Sequence, residues 1–264
     1  MFVDTHTHST FSTDSVMSIA DAVTAALSAG LSGIAFTDHF DFEYTGAPDE
    51  FYFDFHDYFK TVSEWRQKLS GKLDIYYAVE VGYQPITRIA DEIKKQLDGF
   101  EFDFIIGSTH LIKGKDPYNG SYYAGQSKYD AYREYIEEVL KNLMIYDDFD
   151  ALGHIDYHTR YANYPDNRFY YREYPDELDA IFRFIIEKGI ALEVNTSTYV
   201  KTPIDPRILT RYKELGGELI TLGSDAHKAE FVGCEFKHFA ALIKDCGFDY
   251  IAHFKNRKPV LTKI

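Results

Sequence analysis

Five short polar motifs carry most of the histidine in this chain. They read Asp4-Thr-His6-Thr-His8-Ser9, Thr37-Asp38-His39, Gly107-Ser-Thr-His110, Gly153-His154-Ile-Asp156 and Gly223-Ser-Asp225-Ala-His227, and Glu80 stands alone between the second and third. Neutral imidazoles together with carboxylates suit borderline divalent metals such as zinc, manganese or iron. His6 and His8 lie two apart on a predicted strand, so both side chains point the same way and can share one ion. A buried carboxylate without a partner is costly, and a bound cation removes that cost. Any one of these histidines is as readily a hydrogen-bonded rim residue. That explanation does not extend to six of the ten histidines at once, joined by Glu80 and Asp225. His56, His158, His238 and His253 lie in helix or loop segments and read as ordinary surface or core histidines, with His158 nearest a motif.

The elements that position these motifs follow from hydrophobic spacing. Short β-rich runs at Phe2–Thr5, Gly33–Thr37, Ile75–Val81, Phe102–Gly107, Ala151–His154, Ile190–Asn195 and Leu219–Gly223 alternate with segments of helical period. The helical segments are Ser18–Ala29, Tyr58–Leu69, Ile86–Leu97, Lys128–Ile145, Pro175–Lys188, Pro206–Leu215 and Phe236–Cys246. Ser18 suits an N-cap, with Asp21 at the capping-box position, and Gly30 stops the first helix. The strands are continuous apolar runs, as expected when helices cover both faces of a parallel sheet. Seven βα units imply such a sheet, most economically closed as a barrel, with a doubly wound open sheet as the competing topology. In a barrel, the C-terminal strand ends converge on one rim. All the polar motifs terminate strands, so residues far apart in sequence become neighbours there.

Composition narrows the partners. The 264 residues include 28 Lys+Arg against 42 Asp+Glu, a net charge of −14. This disfavours a protein held to nucleic acid by a general basic surface, or drawn to anionic membranes. No apolar stretch approaches a membrane span, and the N-terminus has no basic leader, so a soluble cytoplasmic protein is expected. Cys234 and Cys246 lack metal-binding spacing and make no disulfide scaffold. The 22 Tyr and 21 Phe read as core and rim packing.

The series His6-x-His8-Ser, Thr-Asp38-His39, Glu80, His110, Gly-His154-x-Asp and Ser-Asp225-Ala-His227 resembles the polymerase-and-histidinol-phosphatase (PHP) superfamily in order and spacing. Asp14, Gly-Ser-Thr-His110 and Glu193-Val-Asn195-Thr-Ser make it similar to the monofunctional histidinol-phosphate phosphatases over essentially the whole chain. The resemblance implies a single-domain α/β fold over residues 1–264, a distorted (β/α)7 TIM-like barrel, with three divalent ions. One ion falls to His6, His8, Glu80 and Asp225. A second falls to Glu80 as a bridge with His110 and His154, and a third to Asp14, His39 and His227. The implied reaction is hydrolysis of L-histidinol phosphate by a metal-bridging hydroxide held by Glu80 and Asp225. Clustered ions offset phosphate charge and acidify a bridging water. Arg160 matches a phosphate-binding arginine of the family, and its fork suits phosphate oxygens.

The loop after Asn195 departs from the family pattern. It lacks a second arginine, and Lys201 or Arg207 is the nearest substitute. The departure bears on the substrate more than on the chemistry. A nucleotide or sugar phosphate is the alternative substrate, and a non-catalytic metal-binding relic is the alternative class. None of the nine ligand positions is lost, as a relic would be expected to show. An amidohydrolase shares His-x-His and a late Asp, but Thr-Asp38-His39 and Glu80 fit the PHP arrangement better. Asp38, Asp41 and Asp156 lie near the motifs as candidates for orienting a ligand or supplying an acid. Oligomeric state is not encoded in any motif.

Overall fold

The structure, a computed structural model, describes residues 1–44, 51–197 and 204–264. Its strands are β1 (Val3–Thr7), β2 (Gly33–Phe36), β3 (His39–Asp41), β4 (Asp74–Gly82), β5 (Phe104–Ser108), β6 (Ala151–Leu152), β7 (Ala191–Asn195), β8 (Ile220–Gly223), β9 (Tyr250–Lys255) and β10 (Lys258–Lys263). Its α-helices are α1 (Ile19–Ser28), α2 (Phe55–Lys68), α3 (Thr87–Leu97), α4 (Lys128–Ile145), α5 (Pro175–Lys188), α6 (Pro206–Glu214) and α7 (Phe236–Asp245). Each begins or ends near the expected place. Ser18 caps α1 by accepting from Asp21 N at 3.1 Å, while Asp54, not foreseen, caps α2 three residues earlier than the spacing predicts. Among the described residues no helix is long and apolar enough to cross a membrane.

The strand order is β1-β2-β4-β5-β6-β7-β8-β9-β10, with β3 beside β4. All pairs are parallel except β9–β10. A doubly wound sheet reverses its order at a switch point, and this order from β1 to β8 never reverses. Beyond β8, Asp225 N donates to His6 O at 2.7 Å and His8 N to Ala226 O at 2.9 Å, so the segment leaving β8 runs alongside β1. Two apolar clusters sort the strands' faces. The larger packs sheet against helices. The smaller takes Val3, Ala35, Ala78, Phe104, Ile106, Ala151, Ala191 and Phe254 from seven strands, so the sheet curls around it as expected of a barrel. The same alternation continues upward, from Ala78 to Glu80, Ile106 to Ser108 and Ala191 to Glu193. The polar site is therefore the top layer of the inner face. On β1 the register shifts between Asp4 and Thr7, which lets Val3 and His6 both face inward.

Two features depart from the expected elements. The second run is interrupted: β2 stops pairing at Phe36, and β3 resumes against Glu80 on β4. The buried Tyr58 hydroxyl fills the gap, 2.6 Å from Phe36 O and 3.0 Å from Ala78 N. The second feature is the β9–β10 hairpin, which places His253 on a strand rather than in a helix or loop. Its turn puts Asn256 and Arg257 at φ of 49° and 60°. Asparagine tolerates that region, but arginine is no hairpin signal. Arg257 is held there by its N–H to Asp103 O at 2.9 Å and by its side chain on Asp150 at 2.6 Å.

Candidate metal centre

Glu80, fully buried on β4, is the hub. Its Oε2 lies 3.2 Å from His6 Nε2, 3.5 Å from His8 Nε2 and 3.0 Å from His39 Nδ1. Its Oε1 lies 2.8 Å from His154 Nε2 and 3.2 Å from His110 Nε2, and accepts from Ser108 Oγ at 2.6 Å. Asp225 Oδ1 stands 3.1 Å from His8 Nε2, and its Oδ2 accepts from Arg160 Nη1 at 2.7 Å. Asp14, half exposed in the loop after β1, places Oδ2 3.3 Å from His227 Nε2 and 3.6 Å from His39 Nε2. All nine residues expected as ligands therefore converge. Four groups bring their ligating atoms within 4.8 Å of one another: His6–His8–Asp225, Glu80–His110–His154, His8–His39–His227 and His39–Asp41–His110. The last draws in Asp41, one of the three acids beside the motifs.

The donor set suits a cation. His6 Nδ1 engages Glu193 Oε1 at 2.6 Å and His110 Nδ1 engages Asp41 Oδ2 at 2.6 Å. A carboxylate on one ring nitrogen takes its proton and leaves the other nitrogen's lone pair facing inward. In the neutral rings, imidazole lone pairs and carboxylate oxygens thus meet around Glu80. Glu80 Oε2 faces His39 Nδ1 at 3.0 Å, and Asp41 Oδ1 and His154 Nδ1 are buried with no hydrogen-bond partner among the described residues. Each such atom costs about 1–3 kcal/mol, and a divalent ion satisfies several at once.

Without an ion, protons take part of that role. Burial would depress His6, but Glu193, Glu80 and Asp225 hold it well above the usual imidazole range. His39 is raised the same way, by Glu80 and Asp14 against burial. Asp41 and Glu80 overcome burial to push His110 up to about 10. Burial and the neighbouring His227 and His39 hold His8 well below. Burial alone would raise Glu80 and Asp225, yet His6 and its neighbours keep both well below the carboxylate range. Raised imidazoles and lowered carboxylates thus alternate around Glu80.

Supporting side chains explain the loops. Asp38 accepts from Ser9 N and Ser12 N at 2.6 and 3.1 Å and from both hydroxyls at 2.8 Å. It folds the turn after β1 and reaches His39 only through Ser12, whose Oγ accepts His39 N at 3.0 Å. Asp156 is buried, which pushes it up to about 6. His158 is core: it packs between Tyr132, Tyr135 and Phe169, away from the ligating atoms. Glu193 belongs to the Glu-Val-Asn195 motif of the resemblance, which gives it no role. It is inward-facing on β7, and its Oε2 also accepts His154 N at 2.7 Å, so it ties two ligand-bearing segments together. Gly223 makes room for this: a Cβ there would stand 2.4 Å from the Cβ of His6 and 2.7 Å from Glu193 Oε1. Glu193→Gln removes the charge that fixes the His6 ring while keeping its size. It is expected to weaken ion binding about 10–100-fold, as read by competition with a chromophoric chelator, with the circular dichroism spectrum unchanged.

A cavity of about 530 Å³ opens over the cluster, walled by Arg160, Tyr157, Tyr161, Asp116 and Tyr118. That is the size of a small-molecule site. A larger one, about 910 Å³, lies among Lys94, Phe100 and Arg257 at the opposite strand ends, with none of the ligating groups. Arg207 sits on α6, paired with Glu214 at 3.2 Å, and lines neither cavity. Lys201 lies outside the described residues.

Known proteins place this geometry. Residues 4–197 match the PHP domain. The probable histidinol-phosphatase of Clostridium acetobutylicum is 36% identical, over 98% of this chain and 96% of its own. The histidinol-phosphatase of Lactococcus lactis is 33% identical, over 97% and 95%. A crystal structure of histidinol phosphate phosphatase from Lactococcus lactis, complexed with zinc, L-histidinol and phosphate, superposes with a TM-score of 0.91 at 32% identity, covering 98% of both chains. The putative histidinol phosphatase of Listeria monocytogenes, at 19% identity and a TM-score of 0.77 over 90% of this chain and 99% of that one, speaks to the fold alone. With its histidine and carboxylate series, its fold and its full-length relatives in agreement, this chain belongs to the PHP domain family, among its histidinol-phosphatases.

Proposed function

We propose that this protein is a divalent-metal-dependent phosphomonoesterase that hydrolyses L-histidinol phosphate to L-histidinol and phosphate, a step of histidine biosynthesis. The observation that carries this reading is the convergence of nine imidazole and carboxylate side chains beneath a small cavity, in a chain 33–36% identical to histidinol-phosphatases over nearly its whole length. Three ions are assigned: one to His6, His8, Glu80 and Asp225, one to Glu80, His110 and His154, and one to Asp14, His39 and His227. Bound divalent ions neutralise phosphate charge, polarise the phosphorus and acidify a water for in-line attack. Residues 1–264 are taken as one domain and the protein as cytoplasmic.

The chain's own residues supply the rest. Glu80 and Asp225 each present two oxygens to different partners, which lets one carboxylate span neighbouring positions. Arg160 is nearly buried, on Asp225 Oδ2 and 5.4 Å over the Tyr157 ring. Its planar fork is thereby aimed along the cavity wall, where it can meet phosphate oxygens at two points. Glu193 and Asp41 hold the His6 and His110 rings.

Lys201 is proposed as a second cation toward the phosphate. Lys201→Ala is expected to raise KM about three- to tenfold, the size of one modest charge interaction with the phosphate. Unchanged KM and kcat would remove Lys201 from the site. The substrate assignment is tested by phosphate release from L-histidinol phosphate beside a panel of nucleotides and sugar phosphates. Preference for histidinol phosphate by at least tenfold in kcat/KM upholds it. Release from another ester alone keeps the chemistry and rejects the substrate.

A further inference from the structure

The cavity wall across from the ligating cluster carries a second pole. Asp116 precedes the short 3-10 turn Pro117–Asn119 and is only 6% exposed. Its Oδ1 accepts from Tyr118 N at 2.7 Å and from Tyr157 Oη at 3.0 Å, and Tyr44 Oη donates to its Oδ2. All three partners are neutral, and no Lys, Arg or His forms an ion pair with it among the described residues. A carboxylate held by neutral dipoles alone leaves a place for a cation that none of the described side chains fills. Capping a turn does not demand such burial, since Asp54 caps α2 from an exposed position.

Tyr157 joins the two poles. Its ring stands 5.0 Å from that of His154 and 5.4 Å from that of His110, Arg160 lies over it, and its hydroxyl rests on Asp116. One end of the cavity therefore draws the dianionic phosphate. The other end, one tyrosine away, offers an anion with an unused lone pair on Oδ2 and aromatic faces around it.

We propose that Asp116, walled by Tyr44, Tyr118 and Tyr157, is the subsite for an ammonium group on the leaving alcohol. The site thereby selects aminoalkyl phosphate esters over sugar phosphates and nucleotides. This assignment rests on the phosphatase reading above. A sugar brings no charge to the carboxylate, and a nucleotide brings more negative charge toward it. An ammonium group two bonds from the ester carbon completes an ion pair that a sugar phosphate or nucleotide does not supply.

The test compares the wild type with Asp116→Asn on L-histidinol phosphate and on the same ester lacking the amine. Asparagine keeps the turn cap and the size, and Asp116→Ser, which also caps, serves if the first variant does not fold. The expected result is a rise in KM of about thirtyfold or more for histidinol phosphate, with kcat/KM for the amine-free ester within about threefold. Equal loss on both esters, or no loss on either, overturns the subsite. If the wild type releases no phosphate from histidinol phosphate, that substrate assignment fails separately. Phosphoethanolamine against ethyl phosphate, run with the same proteins, then decides: a preference for the amine-bearing ester that the variant loses upholds the subsite, and equal use by both proteins overturns it.

Discussion

Glu80→Gln is expected to lower kcat/KM for phosphate release by on the order of 10³ or more, and to lower the number of bound ions per chain. Among the described residues no other side chain meets so many of the clustered atoms: five imidazoles stand within 3.5 Å of its two oxygens. Glutamine matches it in size but has one weak oxygen and an amide that donates. It cannot bridge two positions, and its N–H groups point at lone pairs meant for a cation. A loss of 10³ corresponds to about 4 kcal/mol of transition-state stabilisation, the scale of removing a preorganised charge from a dry site. Elemental analysis and steady-state kinetics on the same preparation read both effects. The exposed Glu218→Gln, paired only with Lys213 at the surface, is the control and stays within about twofold of wild type. A Glu80→Gln enzyme within tenfold of wild type would remove Glu80 from the centre of the site.

Stripping the ions is expected to cost stability as well as activity. An ion present at about 1,000 times its Kd stabilises the native state by about 4.1 kcal/mol. In a chain of this size each kcal/mol moves Tm by about 2–4 °C. Removal of even one ion by a chelator should therefore lower Tm by about 8–16 °C, and dialysis against zinc or manganese should restore it. The pH dependence has a definite sign. In the ion-free chain His6 and His39 are held well above the usual range and His110 at about 10, so all three carry protons at neutral pH. Ions bind the deprotonated rings and must displace those protons. The gap in Tm between loaded and stripped protein therefore narrows as pH falls from about 8 to about 6. Differential scanning fluorimetry across that range checks the trend, and a gap that widens toward low pH would contradict the assigned ligands.

The site was legible because a parallel barrel concentrates polarity at strand ends. His6, His8, His39, His110, His154, Asp225 and His227 interrupt or follow apolar runs that otherwise have no reason to stop on histidine. Asp14 was harder to place, since a Ser/Thr-rich loop also explains an acid, and only the fold shows it within reach of His39 and His227. Glu193 and Asp116 were not assigned from sequence. A single acid at the end of an apolar strand, or before a proline turn, has local explanations that suffice. Their meaning comes from contacts across 187 and 41 positions of chain, to His6 and Tyr157. The elements show the same division. The seven helices and the βα alternation follow local periodicity. The break between β2 and β3 depends on the Tyr58 hydroxyl arriving from α2, and the β9–β10 turn depends on Asp103 and Asp150 holding Arg257 where its intrinsic preference does not.

The most direct measurement is phosphate release from L-histidinol phosphate by one preparation before and after chelation, with ions counted per chain. The account predicts steady release from the loaded protein, loss of at least 99% on stripping, and recovery when zinc, manganese or iron returns. No release from a fully loaded protein, or undiminished release from one free of ions, would contradict it.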